Sequence, residues 1–233
     1  IHHTILTNQL AEGVYTLASV VEDGSSVKHR RSLPFTLTVT SLFGYREELN
    51  GTATLTGYHG DEEWLMMPKE WNGRPVGGIA SNAFSGCRVK YIVVPSSVQN
   101  LEASAFSGAP ELVGVFFEGN APQSFTDAFA GSSAVVYYKP GTTGWLPTLD
   151  GRPALMWNPT VAGPVAIQHA GGNDGFVLSG TPGIPVSVFA SSNLVLGVWE
   201  PVASTTVGPG GTVFVPDLTI GTVRARIYRF SWP

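Results

Sequence analysis

One seven-residue pattern occurs three times in the middle of the chain, and its spacing limits the possible folds more than any other feature does. The pattern reads SNAFSGC at residues 81–87, ASAFSGA at 103–109 and TDAFAGS at 126–132. The Ala-Phe pairs lie 22 and then 23 residues apart. A repeat of this length is typical of a solenoid, in which each unit buries its apolar face against the next unit.

Short apolar runs lie between the copies of this pattern. They read LMMP at 65–68, YIVVP at 91–95, LVGVFF at 112–117 and AVVYY at 134–138. We expect each run to form one strand per turn, stacked in parallel on the equivalent strand of the next turn at about 4.8 Å. The Ala-Phe pair then turns inward, which predicts a core that contains Phe84, Phe106 and Phe129.

Cys87 is the single cysteine, so no intrachain disulfide can form. It occupies the position of Ala109 and Ser132 in the other two copies of the pattern. We therefore predict that Cys87 is a small buried residue of the core rather than a reactive thiol.

Composition and charge exclude several classes of function. The 233 residues are 43% hydrophobic and 13% charged, which is enough apolar surface for substantial cores. The net charge of -4 comes from the repeat region, where seven basic residues face eleven acidic ones, so we expect no nucleic-acid partner. No apolar run approaches the roughly 20 residues that span a bilayer, and no signal peptide is apparent, so we expect no membrane insertion.

The start at Ile1 indicates a mature product or an excised piece of a longer chain.

The repeat region resembles a known bacterial family. TLTGYHG at 54–60, WNGRPVGGI at 71–79, AFSGC at 83–87 and VKYIVVPSSVQNL at 89–101 occur in that order. They resemble BspA-type leucine-rich repeats, whose unit reads L-x-x-I-x-I-P-x-S-V-x-x-I-G-x-x-A-F-x-x-C. Glu102 replaces the usual glycine and Ala109 the usual cysteine, which indicates a degenerate array near its end. The resemblance implies a binding protein.

The segments on either side of the repeats predict two further β modules. Alternating residues at 13–21 and 33–40 predict a hairpin that resembles the last two strands of bacterial immunoglobulin-like domains. Six short strands predict a C-terminal β-sandwich, at 165–167, 175–180, 185–192, 198–202, 212–217 and 224–230. The expected fold is mainly β, with immunoglobulin-like strands at 1–44, a leucine-rich-repeat solenoid with a C-terminal cap at 45–157 and a β-sandwich at 158–233.

Two tryptophans follow the last repeat. We expect Trp145 and Trp157 to cover the open end of the solenoid, because an uncapped end would expose apolar side chains and a strand edge. The alternative is that either ring stacks on a carbohydrate.

No arrangement of residues predicts catalysis, a cofactor or a metal. The adjacent His2 and His3 point apart on a strand, and the acidic clusters at 47–48 and 61–63 lack the spacing of a calcium loop. No nucleophile motif, phosphate-binding loop or dinucleotide fingerprint occurs. We therefore predict no catalytic, cofactor-binding or metal-binding residues.

The outward face of the stacked strands is the predicted binding surface, because repeat proteins commonly bind through such a face. Its aromatic residues could anchor a partner or could pack on the neighbouring module. The predicted set is Lys90, Tyr91, Val93, Val113, Val115, Phe117, Val135 and Tyr137.

The sequence thus predicts a non-catalytic, secreted or cell-surface bacterial module that binds protein or glycan at the cell exterior. The first alternative is a structural subunit of a surface layer or filament that self-associates by strand pairing. The second alternative is an ancillary module of a larger secreted hydrolase.

Overall fold

A computed structural model describes residues 13–18, 34–39, 41–123, 126–161, 168–170, 173–193, 197–220, 222 and 225–231, with the first two segments and residues 168–169 described as backbone only. These residues form strands and turns and contain no helix. The mainly β fold is therefore confirmed. We number the strands β1 to β20 in chain order.

The N-terminal strands form the predicted hairpin. Strand β1 (Gly13–Ala18) pairs antiparallel with β2 (Pro34–Val39), and Gly13 lies opposite Val39. The residues that join these two strands lie outside the described residues. The immunoglobulin-like character of this segment stays a prediction.

The apolar runs form a parallel sheet, here called the repeat sheet. Adjacent strands of this sheet are aligned so that Tyr91 lies beside Gly114, which lies beside Val135. A two-residue strand, β12 (Thr148–Leu149), pairs antiparallel at one end of the sheet. In order, the parallel strands are β5 (Trp64–Met66), β8 (Tyr91–Val94), β10 (Gly114–Phe117), β11 (Val135–Tyr138) and β13 (Arg152–Met156).

A second sheet completes each turn of the solenoid, so the expectation of one strand per turn was incomplete. Its parallel strands are β4 (Ala53–Tyr58), β7 (Arg74–Ile79) and β9 (Asn100–Leu101). Two antiparallel strands flank them: β3 (Phe43–Glu47) on β4 and β6 (Glu70–Trp71) on β7. One turn, or coil, thus runs from a strand of this second sheet through the Ala-Phe corner to a strand of the repeat sheet.

The phenylalanines of the repeated pattern form a buried column between the two sheets. The ring centroids of Phe84 and Phe106 lie 5.5 Å apart, and those of Phe106 and Phe129 lie 4.6 Å apart. Cys87 is buried in the same core, where its thiol lies 3.2 Å from the carbonyl oxygen of Tyr58. Tyr58 extends the column by one coil, with its ring 6.3 Å from that of Phe84.

Backbone hydrogen bonds join the corners of successive coils in the same direction. Tyr58 N donates to Ala83 O, and Phe106 N donates to Ala128 O at 2.8 Å. The corner needs two residues in the left-handed region, and the glycine of each pattern supplies the second, with φ between 72° and 79°. The first left-handed residue is Asn82, Ser104 or Asp127.

Asp150 ends this ladder of hydrogen bonds. Phe129 N donates to Asp150 Oδ2 at 3.0 Å, so a carboxylate oxygen stands where the carbonyl of a further coil would lie. Asp150 and Gly151 form the tight turn between β12 (Thr148–Leu149) and β13, with φ of 48° and 74°. The hairpin of β12 and β13, with the Asp150 carboxylate at its turn, therefore caps the solenoid.

The C-terminal residues form two antiparallel sheets that face each other, as a sandwich requires. One contains β14 (Thr160–Val161), β15 (Gln168–Ala170), β16 (Asn173–Ser179) and β19 (Thr212–Pro216). The other contains β17 (Pro185–Ser191), β18 (Glu200–Thr206) and β20 (Ile227–Ser231). Phe176, Val188 and Val215 lie in their shared core. The strand predicted at 165–167 lies outside the described residues.

A buried carboxylate ties β19 to the start of β20. Asp217 is 4% exposed and accepts hydrogen bonds from Arg226 Nε and the Tyr228 hydroxyl, both at 2.9 Å. Burial alone would raise the pKa of Asp217, but hydrogen bonds from the side chain and backbone of Thr219, from Arg226 and from Tyr228 lower it to about 2. The ionised carboxylate therefore contributes to the stability of this module.

We predict that Asp150→Gly lowers the free energy of unfolding by about 1–3 kcal/mol, because it leaves the amide of Phe129 without an acceptor. Asp150→Asn is the matched control, since asparagine keeps an acceptor oxygen and tolerates the left-handed region. Urea unfolding of both variants measures the difference. Equal stability of the two variants would contradict the capping role.

We predict that the stability contributed by Asp217 is lost as the pH falls. The pKa of Asp217 is lower in the folded chain than in the unfolded chain, so its contribution is complete above about pH 4 and disappears as the pH falls towards 2. Unfolding free energies of the wild type and Asp217→Asn should differ by on the order of 2 kcal/mol more at pH 6 than at pH 2. A difference in unfolding free energy that stays constant over this pH range would show that ionisation of Asp217 does not contribute to stability.

Candidate functional site

The predicted binding set divides between the two sides of the repeat sheet. Tyr91, Val93, Val135 and Tyr137 lie on the outward side, whereas Val115 and Phe117 are buried in the coil core. The prediction that Val115 and Phe117 point outward was wrong. In the run at 112–117 both sets of alternate residues are apolar, so the pattern does not show which set faces the core. The strand begins at Gly114, in register with Tyr91, so Phe116 is the outward residue.

Gly114 is required on the outward side of the repeat sheet. A Cβ atom there would lie 3.1 Å from Tyr137 Cε2 and 3.2 Å from Tyr91 Cδ1. The missing side chain leaves room for these rings and for Phe116, which stacks on Tyr137 with ring centroids 4.6 Å apart. The outward side therefore carries large aromatic residues packed against one another.

The C-terminal sandwich covers most of this outward side. Val93, Phe116 and Tyr137 share one core with residues of β16 and β17 such as Phe176 and Val186. Burial raises the pKa of Tyr137 to about 12, so its hydroxyl stays neutral. Two roles were predicted for this face, anchoring a partner or packing on the neighbouring module. Val93, Phe116 and Tyr137 pack on the neighbouring module.

The two tryptophans after the last repeat do not close the open end of the solenoid. Trp157 Nε1 donates to Pro185 O at 2.7 Å and packs in the core shared with the C-terminal sandwich. Trp145 stacks on Tyr138, with ring centroids 4.7 Å apart, and contacts Phe117. Trp145 thus packs on the side of two successive coils, those of β10 and β11. The hairpin that contains Asp150 closes the end of the solenoid.

One end of the outward side stays open, and we call it the aromatic rim: Trp64, Met66, Lys90 and Tyr91. Trp64 and Tyr91 are half-buried and stack face to face, with ring centroids 4.2 Å apart and an interplanar angle of 16°. Met66 is 66% exposed, and Lys90 Nζ lies 3.0 Å from Glu63 Oε1. The rim thus offers apolar rings beside a paired charge.

Sequence reasoning included Lys90 and Tyr91 but missed Trp64 and Met66. The signal that could have identified them is the register of the repeat, since Trp64 lies beside Tyr91 and Met66 beside Val93 in the sheet. Val113 precedes β10 and is 48% exposed. It is the remaining member of the predicted set that faces solvent to a large extent.

The outer side of the second sheet holds a cavity of about 390 Å³ that the sequence did not indicate. Arg46 crosses it and contacts Glu48 Oε1 at 2.9 Å and Glu102 Oε1 at 2.8 Å. The pKa of Glu48 is lowered first by a hydrogen bond from Thr54 and then by Arg46, and the pKa of Glu102 is lowered first by Arg46. Among the described residues that line this cavity, the one guanidinium is therefore paired with both carboxylates.

The described residues offer neither a metal site nor a membrane-spanning helix. No group of three or more His, Cys, Asp or Glu side chains there is placed to hold a metal ion. No helix there is long and apolar enough to cross a bilayer. His2 and His3 lie outside the described residues.

Comparison with known proteins gives partial structural likenesses. No protein-family model and no curated protein matches the chain. A leucine-rich cell surface protein from Faecalibacterium prausnitzii is 19% identical, with a TM-score of 0.38 over 50% of this chain and 31% of that protein. A leucine-rich repeat protein from Bacteroides capillosus is 23% identical, with a TM-score of 0.31 over 43% of this chain and 68% of that one.

A leucine-rich repeat protein from T. pallidum is 16% identical, with a TM-score of 0.30 over 42% of this chain and 68% of that one. The chain thus spans less than a third of the length of the F. prausnitzii protein. The strand pairing described above establishes the solenoid independently of these likenesses.

We predict that Phe116→Ala lowers the free energy of unfolding by about 3–5 kcal/mol, because Phe116 is fully buried between the repeat sheet and the sandwich. Val113→Ala, three residues before Phe116 and 48% exposed, should change the free energy of unfolding by less than about 0.5 kcal/mol. Guanidinium unfolding measures both variants. A loss below about 1 kcal/mol for Phe116→Ala would contradict the burial of this face.

Proposed function

We propose that the chain is a non-catalytic binding module of a secreted or cell-surface bacterial protein, and that it recognises protein or glycan through the aromatic rim. The observation that carries this proposal is the half-buried stack of Trp64 and Tyr91 at the open end of the repeat sheet. Aromatic side chains with a partly open face are the residues that most often anchor a binding partner.

The surroundings of the stack support this assignment. The exposed thioether side chain of Met66 adapts to different partner shapes, and the ion pair of Lys90 with Glu63 provides a polar border. An apolar centre with a polar rim is the common anatomy of a protein interface. The cavity beside Arg46 has less to offer, because its charged groups are already paired with each other.

The sequence motifs support an extracellular setting for this module. The repeat unit resembles BspA-type leucine-rich repeats, and the N-terminal hairpin resembles immunoglobulin-like strands. One of the structural likenesses is a bacterial cell surface protein. In this proposal the C-terminal sandwich covers the rest of the outward side of the repeat sheet and leaves the rim as the surface for the partner.

The test measures binding to arrays of immobilised saccharides and to immobilised fibronectin, laminin and collagen. We expect binding to at least one of these probes, and we expect Trp64→Ala to weaken it about tenfold or more through loss of the anchor. Trp71→Ala is the matched control, because Trp71 stacks on Tyr45 in the second sheet, away from the rim. It should change binding by less than about twofold.

Two results would contradict the proposal. One is binding to none of these saccharides and proteins at micromolar concentration. The other is equal loss of binding in Trp64→Ala and Trp71→Ala, which would assign the effect to general destabilisation. Thermal unfolding of both variants distinguishes a local loss of contact from a loss of fold.

A further inference from the structure

The outer face of the three-stranded sheet in the C-terminal sandwich carries a stacked guanidinium. Phe189 on β17 and Arg229 on β20 are directly opposite each other and point away from the core that their neighbours Val188 and Tyr228 enter. The Arg229 guanidinium carbon lies 5.1 Å from the centre of the Phe189 ring and 4.6 Å from the centre of the Trp199 ring. Two aromatic rings therefore hold this cation in place.

Arg229 has no carboxylate partner among the described residues. Arg226, three residues earlier, differs in this respect, since it pairs with Asp217 Oδ2 at 2.9 Å and with Glu200 Oε2 at 3.1 Å. Both of the described acidic groups near this sheet, Asp217 and Glu200, thus contact Arg226 rather than Arg229. Arg229 therefore contributes a guanidinium that contacts aromatic rings and is not paired with a described carboxylate.

The contacts of Arg229 determine what it can bind. Aromatic rings interact with the flat face of a guanidinium and leave its N–H edge available to an acceptor. A carboxylate accepts two parallel hydrogen bonds from such an edge, and this charge-assisted geometry is stronger than a neutral contact. The arrangement suits an anionic group that arrives from solvent.

The two rings that hold Arg229, with an apolar residue next to Trp199 in the chain and one on β20, provide an apolar platform. Phe189 and Trp199 are half-buried, Val198 is 61% exposed and Ile227 is 37% exposed. We call these four residues, together with Arg229, the cationic patch. Rings and aliphatic side chains on a sheet face pack well against the C–H faces of pyranose sugars, because both surfaces are flat and apolar.

We propose that the cationic patch binds an acidic polysaccharide, with a uronate carboxylate on the Arg229 guanidinium and a sugar ring on the platform beside it. A peptide that added a strand to this sheet would pair with an outer strand, β18 or β20, and would not lie across the face, because the central β17 is already paired on both sides. A polysaccharide needs no backbone partner. The patch lies on a different module from the aromatic rim, so this site is independent of the function proposed above.

The test is isothermal titration of the full chain with sodium polygalacturonate at about 50 mM salt, where charge contacts are weakly screened. We expect binding that weakens about tenfold or more when the polymer is fully methyl-esterified, since esterification removes the carboxylate charge. Poly-L-glutamate carries carboxylates without sugar rings, and we expect it to bind about tenfold more weakly than polygalacturonate.

Variants locate the site on the surface. Arg229→Ala should weaken binding about tenfold or more, and Arg229→Lys should also weaken it because lysine keeps the charge but lacks the planar edge. Arg74→Ala is the matched control, since it removes the same charge from the solenoid, where Arg74 pairs with Glu47. Binding by Arg74→Ala should stay within about twofold of the wild type.

Several outcomes would overturn the proposal. They are the absence of polygalacturonate binding, equal binding of the methyl ester or of poly-L-glutamate, and equal weakening by Arg229→Ala and Arg74→Ala. The last result would assign binding to net charge. Arg229→Lys keeps the test valid if Arg229→Ala fails to fold, and unchanged binding by a folded Arg229→Lys would also overturn it.

Discussion

The stacking of one aromatic ring per coil is the contact around which the solenoid is arranged. A single coil cannot bury its own apolar face, so Phe84, Phe106 and Phe129 lose contact with water only when the coils lie on one another. Each buried phenylalanine contributes about 1.5–3 kcal/mol, and aromatic pairing adds about 0.5–1.5 kcal/mol. The corner hydrogen bonds run beside this column and fix the distance between coils.

The two sides of the repeat sheet follow from this arrangement. Once alternate residues such as Ile92 and Val115 point into the coil core, the residues between them must face outward. Several of these outward residues are aromatic, and so large an apolar surface is rarely left uncovered in a monomer. The C-terminal sandwich covers Phe116 and Tyr137, and the part left open is the surface to which we assign binding.

The sequence predicts the solenoid well, because the spacing of the Ala-Phe pairs is set by the length of one coil. It does not reveal Tyr58 as the first ring of the column, since no Ala-Phe pair marks that corner. It also conceals β7 (Arg74–Ile79), whose Gly77 and Gly78 give no alternation of apolar and polar residues. Each of these features depends on packing between coils, and the local pattern of residues does not record it.

The candidate site was harder to predict than the fold for a related reason. Predicting the outward residues required knowing, for each strand, which alternate residues face the core. The apolar run at 112–117 fits either choice. Which outward residues remain exposed depends on where the C-terminal sandwich docks, and no pattern within the repeats encodes that contact. The orientation of Phe116 and the exposure of Trp64 therefore became apparent only from the three-dimensional arrangement.

The stacked coils can be tested most directly by amide hydrogen exchange, resolved by NMR, at the corners where one coil meets the next. The N–H groups of Ser104 and Phe106 donate to Asp127 O and Ala128 O of the following coil, both at 2.8 Å. Our account predicts that these amides exchange as slowly as those of the repeat-sheet strands, because all of them open only when the coils separate. Exchange of Ser104 and Phe106 at the rate of an unprotected amide would contradict the stacking of the coils.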